Sequence, residues 1–207
     1  AYTFGVSTID TVKDAGPVAR SMQIDYDEDV IHHAKRELFA RARSTDDRPF
    51  MMTVSLTHPH DPYVTTQRFW DMYPNGNIEP PRVSDIPVDA RDPHSQSLYY
   101  HYGQDKCTLS EQDYRNARRG YYGMISYVDD LFGQLMQALE DSGFADNTVV
   151  LFASDHGDMI GERGMWFKKT LFDPAIHVPL MISYPGLTAG RVAAPTSLLD
   201  IFPHYWR

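Results

Sequence analysis

The chain has 207 residues, of which 42% are hydrophobic and 23% charged, and its formal net charge is −9. This composition is typical of an ordered globular protein, and the negative charge disfavours nonspecific binding to nucleic acid or to an anionic membrane surface. No apolar run is long enough to cross a bilayer, and the single Cys107 excludes an internal disulfide framework and fits a reducing compartment.

The N-terminal part of the chain predicts a turn followed by one amphipathic helix. Gly16-Pro17 indicates the turn. From Asp27 onward, apolar residues recur at helical spacing, which predicts a helix with Asp25 or Asp27 near its N-terminus and an end at Arg48-Pro49. The apolar residues with this spacing are Val30, Ile31, Ala34, Leu38 and Phe39.

A short apolar run over 50–57 comes next and predicts a buried strand. The polar cluster His58-Pro-His-Asp-Pro-Tyr63 follows it directly. From there to about Cys107 the chain is rich in Pro, Asp, Tyr and Gly, which predicts a long loop. Loops of that length are usually functional.

The clearest helix of the chain begins after Ser110, where Ser110-Glu-Gln-Asp113 resembles a capping box, and ends at Ser142-Gly143. Its predicted apolar face consists of Tyr114, Ala117, Tyr121, Ile125, Val128, Phe132, Leu135 and Leu139. Two further apolar runs, 148–153 and 178–183, predict buried strands. Helices that alternate with such strands indicate an α/β fold with a mixed, largely parallel sheet flanked by helices.

Asp155 and His156 come directly after the strand predicted over 148–153. Ligand sites in open α/β sheets lie at the carboxyl ends of strands, and a carboxylate beside an imidazole offers one oxygen and one nitrogen to a divalent cation. Gly157 behind them lets the backbone turn without a side-chain clash. The alternative is that Asp155 binds a neighbouring amide and His156 packs as an ordinary side chain.

Two further places carry candidate chemistry. In the cluster at 58–63, two prolines limit the movement of His60, whose imidazole could bind an oxyanion or protonate a leaving oxygen. The alternative is that one histidine caps the strand and the other is solvated. Lys168 and Lys169 follow Met165-Trp-Phe167 and could present a positive charge to a sulfate or phosphate, although most lysine pairs are solvated surface.

Other chemistries lack their signatures in this sequence. It contains no Gly-rich phosphate loop, no cysteine pair at zinc spacing and no Gly-x-Ser-x-Gly elbow. Cys107 has no histidine near it in the sequence, so it is not expected to be a nucleophile.

Taken together, these segments resemble the sulfatase branch of the alkaline phosphatase superfamily, in the same order and over nearly the whole chain from Asp25. Among sulfatases they look most like the choline sulfatases. The segments that carry the resemblance are Thr57-His-Pro-His-Asp-Pro-Tyr63, Tyr121-Tyr-Gly-Met-Ile-Ser-Tyr-Val-Asp-Asp130, Ser154-Asp-His-Gly-Asp-Met159, Gly161-Glu-Arg-Gly-Met-Trp-Phe-Lys168, Val178-Pro-Leu180 and Ser197-Leu-Leu-Asp-Ile-Phe-Pro203.

The resemblance implies a role for each matched residue. Asp155 and His156 match two ligands of the active-site divalent cation, for which Ca²⁺ is expected first and Mn²⁺ is the alternative. His60 matches the histidine that contacts the sulfate and helps to protonate the leaving oxygen. Lys168 matches the lysine that bridges the sulfate and the nucleophile. In the family this nucleophile is a formylglycine made from the cysteine of an N-terminal Cys-x-Pro-x-Arg motif, and it attacks sulfur.

The sequence departs from the family at several points. It contains neither Cys-x-Pro-x-Arg nor the N-terminal Asp-Asp pair of the metal site, His177 stands where most sulfatases carry Arg, and 204–207 differ from the usual continuation. Residues 1–207 are therefore expected to be the central part of one catalytic domain that lacks its nucleophile segment and its C-terminal segment. Two ligands do not complete a hard-cation site, so this chain alone is expected neither to hydrolyse sulfate esters nor to hold the metal tightly.

For the whole protein the resemblance implies a sulfuric ester hydrolase that acts on a small-molecule sulfate ester, choline sulfate first. The alternatives are a phosphonate or phosphate ester hydrolase of the same superfamily and a non-catalytic relative without the nucleophile. No nucleic-acid or membrane partner is expected. A homo-oligomer is possible, and the cytoplasm is the expected location.

Overall fold

The computed structural model describes residues 7–201. Within them, the α-helices are α1 (Asp10–Lys13), α2 (Met22–Ala42), α3 (Gln67–Trp70), α4 (Pro93–His101), α5 (Glu111–Asp141) and α6 (Asp173–Ile176). The strands are β1 (Gly16–Pro17), β2 (Val64–Thr65), β3 (Val150–Ala153) and β4 (Leu180–Ser183). None of the helices described here is both long and apolar enough to span a bilayer. The end of the last matching segment, Phe202-Pro203, and the departure at 204–207 lie outside the described residues.

Helix α2 begins earlier than predicted, at Met22, because the hydroxyl of Ser21 accepts a hydrogen bond from the Ile24 amide and caps the helix. Asp25 lies in the first turn, in agreement with the prediction, whereas Asp27 lies inside the helix and is fully buried. The helix ends at Ala42, well before the proline that was expected to end it.

Helix α5 confirms the predicted long helix and its capping box. The Ser110 hydroxyl accepts a hydrogen bond from the Asp113 amide, and the Asp113 carboxylate accepts one from the Ser110 amide. The predicted apolar face is wrong in part, since Ile125 is 45% exposed while its neighbour Met124 is fully buried. The buried face is displaced because α5 meets the preceding chain at Gly120 and Gly123, and the buried residues follow that line.

The close approach at Gly120 predicts a large effect of adding one methyl group. A Cβ atom at this position would lie 2.1 Å from the Tyr63 carbonyl oxygen, whereas a Cβ at Gly133 of the same helix would meet nothing within 4 Å. We expect Gly120→Ala to lower the free energy of unfolding by about 1–3 kcal/mol or more, because backbone must move. Gly133→Ala is the matched control and should raise it by about 0.5–1 kcal/mol through helix propensity. Urea denaturation of both variants measures the two free energies of unfolding. Equal changes in the two variants would contradict the close approach at Gly120.

The described strands form two small sheets. Strand β1 pairs in parallel with β2, so the turn predicted at Gly16-Pro17 is wrong: the Gly16 amide donates to the Tyr63 carbonyl and this segment runs as a strand. Strands β3 and β4 confirm the predictions over 148–153 and 178–183, and they pair antiparallel. Strand β4 is not buried as predicted, because Met181 is 55% exposed.

The buried strand predicted over 50–57 is wrong, since no residue of this segment belongs to a sheet. The side chains still alternate as in a strand. Met52, Val54 and Leu56 pack against the apolar clusters of α2 and α5, while Met51 between them is 74% exposed. A strand also needs a neighbouring chain to satisfy its N–H and C=O groups, and within residues 7–201 this segment pairs with none.

The long loop predicted from Val64 to about Cys107 contains more regular structure than expected. Strand β2 and helices α3 and α4 all lie within it. Helix α4 begins at Asp92, whose carboxylate accepts hydrogen bonds from the His94 and Ser95 amides, with Pro93 at the first helical position. Asp-Pro is a recognised helix start, so the sequence contained a signal that was missed.

Helix α5 organises the core of the described part. Its N-terminal half packs on α1, α4 and residues 159–167, and its remainder packs on α2, β3 and the segment 50–56. The fold is therefore the mixed α/β arrangement that was predicted, with one parallel and one antiparallel strand pair in the described residues. The loops that follow 50–57 and β3 both reach the N-terminal half of α5, where Tyr63 and Trp166 are buried together.

Candidate functional site

A buried aspartate of helix α2 fixes the start of the loop that carries His60. The Asp27 carboxylate accepts hydrogen bonds from the Thr57 amide (2.7 Å), the Thr57 hydroxyl (2.9 Å) and the His58 amide (3.1 Å), and it lies 2.6 Å from His58 Nδ1. Burial acts to raise the pKa of Asp27, but the His58 and Thr57 hydrogen bonds outweigh it and lower the pKa. His58 is therefore a buried structural partner of α2.

His60, in contrast, is partly open to solvent and is oriented by the residue next to it. Its Nδ1 atom lies 2.9 Å from the Asp61 carbonyl oxygen and 3.0 Å from Asp61 Oδ1, so Nδ1 carries a proton and Nε2 faces away from this contact. The hydrogen bond with Asp61 is the largest effect on the imidazole and raises the pKa of His60. Asp61 is itself buried and accepts hydrogen bonds from Ser7 and Thr11, and these contacts with that of His60 lower its pKa despite burial.

Asp155 and His156 lie at the carboxyl end of β3, where the sequence predicted a pair of metal ligands. The His156 amide donates to Asp155 Oδ1, and His156 Nδ1 donates to the Gly157 carbonyl at 2.8 Å. His156 Nε2 lies on the other side of the ring, 3.5 Å from Asp155 Oδ2. Two adjacent ligands of a Ca²⁺ ion, each about 2.4 Å from it, lie roughly 3.4 Å apart, so the pair fits two positions of such a site.

The pair supplies only part of a metal site. Among residues 7–201 no group of three or more His, Cys, Asp or Glu side chains is arranged to hold a metal ion. The Asp155 side chain is 85% exposed, which leaves its free oxygen open to further groups.

Gly157 is needed for a reason other than the predicted sharp turn. Its amide donates to the Ala175 carbonyl, and a Cβ atom at this position would lie 2.1 Å from the Pro174 carbonyl oxygen. The absent side chain thus lets α6 pack directly against the loop that carries Asp155 and His156.

Asp158 connects the three segments that carry the candidate residues. Its carboxylate accepts hydrogen bonds from the Tyr63 hydroxyl (2.9 Å), the Ile160 amide (2.9 Å) and the Phe167 amide (3.1 Å). Burial raises the pKa of Asp158 to about 6. Tyr63 belongs to the loop that carries His60, and Phe167 directly precedes Lys168. The Asp158 carboxylate therefore holds both of these loops to the segment that follows β3. No local sequence pattern indicated this role.

The hydrogen bond with Asp61 raises the pKa of His60, and the positive charge of Lys168 is a smaller effect that acts to lower it. Lys168 is half-buried, while the neighbouring Lys169 is exposed and lies 3.4 Å from His101 Nε2. Cationic side chains that act on one another in this way can bind an anion between them. Of the two lysines considered from the sequence, Lys168 is the one whose charge acts on His60.

Asp158 thus links the loops that carry His60 and Lys168 to the segment that carries Asp155 and His156. The supporting residues Asp27, Asp61 and Asp158 were not identified from the sequence. Asp61 lies in the polar cluster at 58–63 and directly follows His60, which was the signal available for it. Asp27 and Asp158 act over long sequence separations that no local pattern reveals.

Comparison with known proteins gives a consistent result. A family model described as Sulfatase matches residues 6–206. The choline-sulfatase of Rhizobium meliloti (strain 1021) is 42% identical over 196 residues, which are 93% of this chain and 38% of that protein. The iduronate 2-sulfatase of Mus musculus is 34% identical over 174 residues, which are 77% of this chain and 30% of that protein.

Among solved structures, the phosphonate monoester hydrolase of Agrobacterium radiobacter matches with a TM-score of 0.67 and 27% identity, over 82% of this chain and 35% of that one. This match confirms the predicted alkaline-phosphatase-like α/β fold. The chain spans between 30% and 38% of the length of these relatives.

Proposed function

Because this chain belongs to the sulfatase family, we propose that the protein containing it hydrolyses sulfuric esters and that His60, Lys168, Asp155 and His156 form part of its active site. The observation that carries the proposal is that the Asp158 carboxylate holds the loops of His60 and Lys168 to one segment, while the charge of Lys168 acts on His60. Such a pair suits the binding of a sulfate group, whose charge grows on the leaving oxygen as the ester bond breaks.

Each side chain has a part that follows from its contacts. Lys168 presents a positive charge to the sulfate oxygens. His60, whose protonated form is favoured by Asp61, donates the proton of Nε2 to the leaving oxygen. Asp155 and His156 would hold the divalent cation through Oδ2 and Nε2, and for this cation we propose Ca²⁺ with Mn²⁺ as the alternative. When bound, the cation supplies charge stabilisation to the sulfate oxygens.

We propose further that residues 1–207 are the central part of a single catalytic domain. Two observations support this: the chain covers 38% of the choline-sulfatase it matches, and its sequence contains no Cys-x-Pro-x-Arg. The formylglycine nucleophile and the remaining metal ligands then come from elsewhere in the protein. The 207-residue chain alone is expected to be inactive.

The proposed substrate is choline sulfate, a small-molecule sulfate ester. It is supported by 42% identity with a choline-sulfatase, against 34% with an iduronate 2-sulfatase. We also propose the cytoplasm as the location and a homo-oligomer of the full-length protein, which cell fractionation and sedimentation velocity would test.

A second candidate function is phosphonate monoester hydrolysis. It is supported by the TM-score of 0.67 with a phosphonate monoester hydrolase. The pair formed by His60 and Lys168 can bind a phosphonate as well as a sulfate, because both groups are oxyanions. Selection between the two substrates therefore depends on the parts of the substrate that this pair does not contact.

The test uses the full-length protein, purified with Ca²⁺. We expect release of inorganic sulfate from choline sulfate at a higher kcat/KM than from an aryl sulfate or than alcohol release from a phosphonate monoester. Chelation should abolish turnover, and Ca²⁺ or Mn²⁺ should restore it. Preference for the phosphonate would support the second candidate. Absence of turnover with every ester, in protein that retains its fold, would support a non-catalytic relative.

A further inference from the structure

The segment that ends in Lys168 and Lys169 has an unusual backbone. Four of its non-glycine residues have positive φ angles: Ile160 (37°), Arg163 (60°), Phe167 (62°) and Lys169 (70°). This left-handed region is disfavoured for residues with a side chain, and it persists only where surrounding contacts enforce it. Two of these residues directly flank Lys168, so the direction of its side chain depends on whatever holds Phe167 and Lys169.

Phe167 is held by the core. Its side chain is 1% exposed, its amide donates to Asp158 and its carbonyl accepts from the Met159 amide at 2.8 Å. The Phe167 ring also packs edge-on against Tyr102, with ring centroids 4.8 Å apart. These contacts fix the chain immediately before Lys168 but not after it.

The chain at and after Lys168 is held by helix α4 and its C-terminal cap. The Tyr102 hydroxyl donates to the Lys168 carbonyl at 3.1 Å, and His94 Nε2 lies 2.6 Å from the Lys169 carbonyl. Since a carbonyl only accepts, His94 donates through Nε2. Burial raises the pKa of Tyr102 to about 12, so its hydroxyl stays protonated and remains a donor at neutral pH.

Helix α4 is suited to this task because it is fixed at both ends. At its start, Asp92 accepts hydrogen bonds from the His94 and Ser95 amides. At its end, Tyr102 is 3% exposed, and its carbonyl accepts a hydrogen bond from the Ile9 amide at 2.9 Å. His94 and Tyr102 therefore present their donors from a rigid support.

We infer that helix α4 is the positioning element of the active-site lysine: Tyr102 and His94 bind the carbonyls of Lys168 and Lys169 and thereby aim the Lys168 ammonium group at the anion beside His60. Both are positioning residues, since they act through Lys168. The inference rests on the proposed function, because it assigns a purpose to the geometry of that same site.

The test is a double-mutant cycle in the full-length protein. Tyr102→Phe removes only the hydroxyl, and His94→Ala removes the imidazole of an exposed residue. Each should lower kcat about 10- to 100-fold with a smaller change in KM, since a displacement of about 1 Å in a catalytic group has effects of this size. His94→Gln keeps an N–H donor near Nε2 and should restore most of the lost kcat. Tyr100→Phe is the matched control, because Tyr100 is 57% exposed on the same helix, and it should retain full activity.

The decisive comparison is with Lys168→Ala. If Tyr102 and His94 act through the lysine, their substitutions have no further effect once Lys168 is absent. Losses of equal size in both backgrounds, or no loss in the wild-type background, would overturn the inference. Sulfate affinity measured by calorimetry is a second readout and should weaken in Tyr102→Phe and His94→Ala only while Lys168 is present. Sulfate binding with this pattern but without turnover would refute the proposed function and keep the inference. Turnover without this pattern would support the proposed function and overturn the inference.

Discussion

Replacing Lys168 by Ala in the full-length protein is expected to lower kcat for sulfate-ester hydrolysis about 10²- to 10³-fold, which is the usual effect of losing one group that stabilises charge in a transition state. The charge of the ammonium group acts on His60, and the two groups together are proposed to bind the sulfate. Lys168→Arg should recover little of the activity, because the planar guanidinium is longer and directs its donors differently from a compact ammonium. Steady-state kinetics with choline sulfate gives the measurement.

The effect of removing Lys168 must be distinguished from the effect of removing any positive charge. Lys106→Ala is the matched control, because Lys106 is an exposed lysine outside the site. It should leave kcat unchanged, and both variants should melt near the wild-type temperature. If Lys168→Ala retained wild-type kcat while folded, the assignment of Lys168 to the active site would be wrong.

The parts of the fold that depend on local chemistry were predictable from the sequence. The long helix α5 carries its capping box at Ser110 and its glycine stop at Gly143 within its own sequence, and both were read correctly. Strands β3 and β4 were likewise recognised from short apolar runs.

The errors arose where a residue's state depends on distant parts of the chain. The run 50–57 has the composition and side-chain alternation of a strand, but a strand exists only with a hydrogen-bonded neighbour, which composition does not reveal. Gly16-Pro17 looked like a turn and pairs instead with β2, far along the chain. The buried face of α5 is set by the contacts of Gly120 and Gly123 with other segments rather than by its own apolar pattern.

The same distinction holds for the candidate site. His60, Lys168, Asp155 and His156 were named because short motifs contain them, and their assignment to the active site remains a prediction. The residues that hold them in place are a different case. Asp27 reaches the His58 loop across 31 positions, and Asp158 reaches Tyr63 across 95 positions. Contacts between residues this far apart in the chain are visible only in the structure, because the sequence does not show which distant residues are paired.

The ion pair between His60 and Asp61 predicts a characteristic dependence of activity on pH. If His60 donates a proton to the leaving oxygen, His60→Ala should lower kcat about 10²- to 10⁴-fold. Since Asp61 raises the pKa of His60, the protonated imidazole persists to higher pH than it would alone, and activity falls as the pH rises through this raised pKa.

Asp61→Asn removes the charge that favours protonated His60 while it keeps the shape of the side chain and one of the two oxygens that accept from Ser7 and Thr11. The pKa of His60 should therefore decrease, and the alkaline limb of the kcat profile should move to lower pH. The same shift applies to folding: a raised pKa in the folded state contributes stability at pH below the unfolded value, and this contribution is lost as the pH rises through the folded value. Asp61→Asn should reduce this pH-dependent contribution to the free energy of unfolding. Asp47→Asn, at an exposed position, is the control and should leave the profile in place. An alkaline limb that does not move in Asp61→Asn would mean that another group, and not His60, sets it.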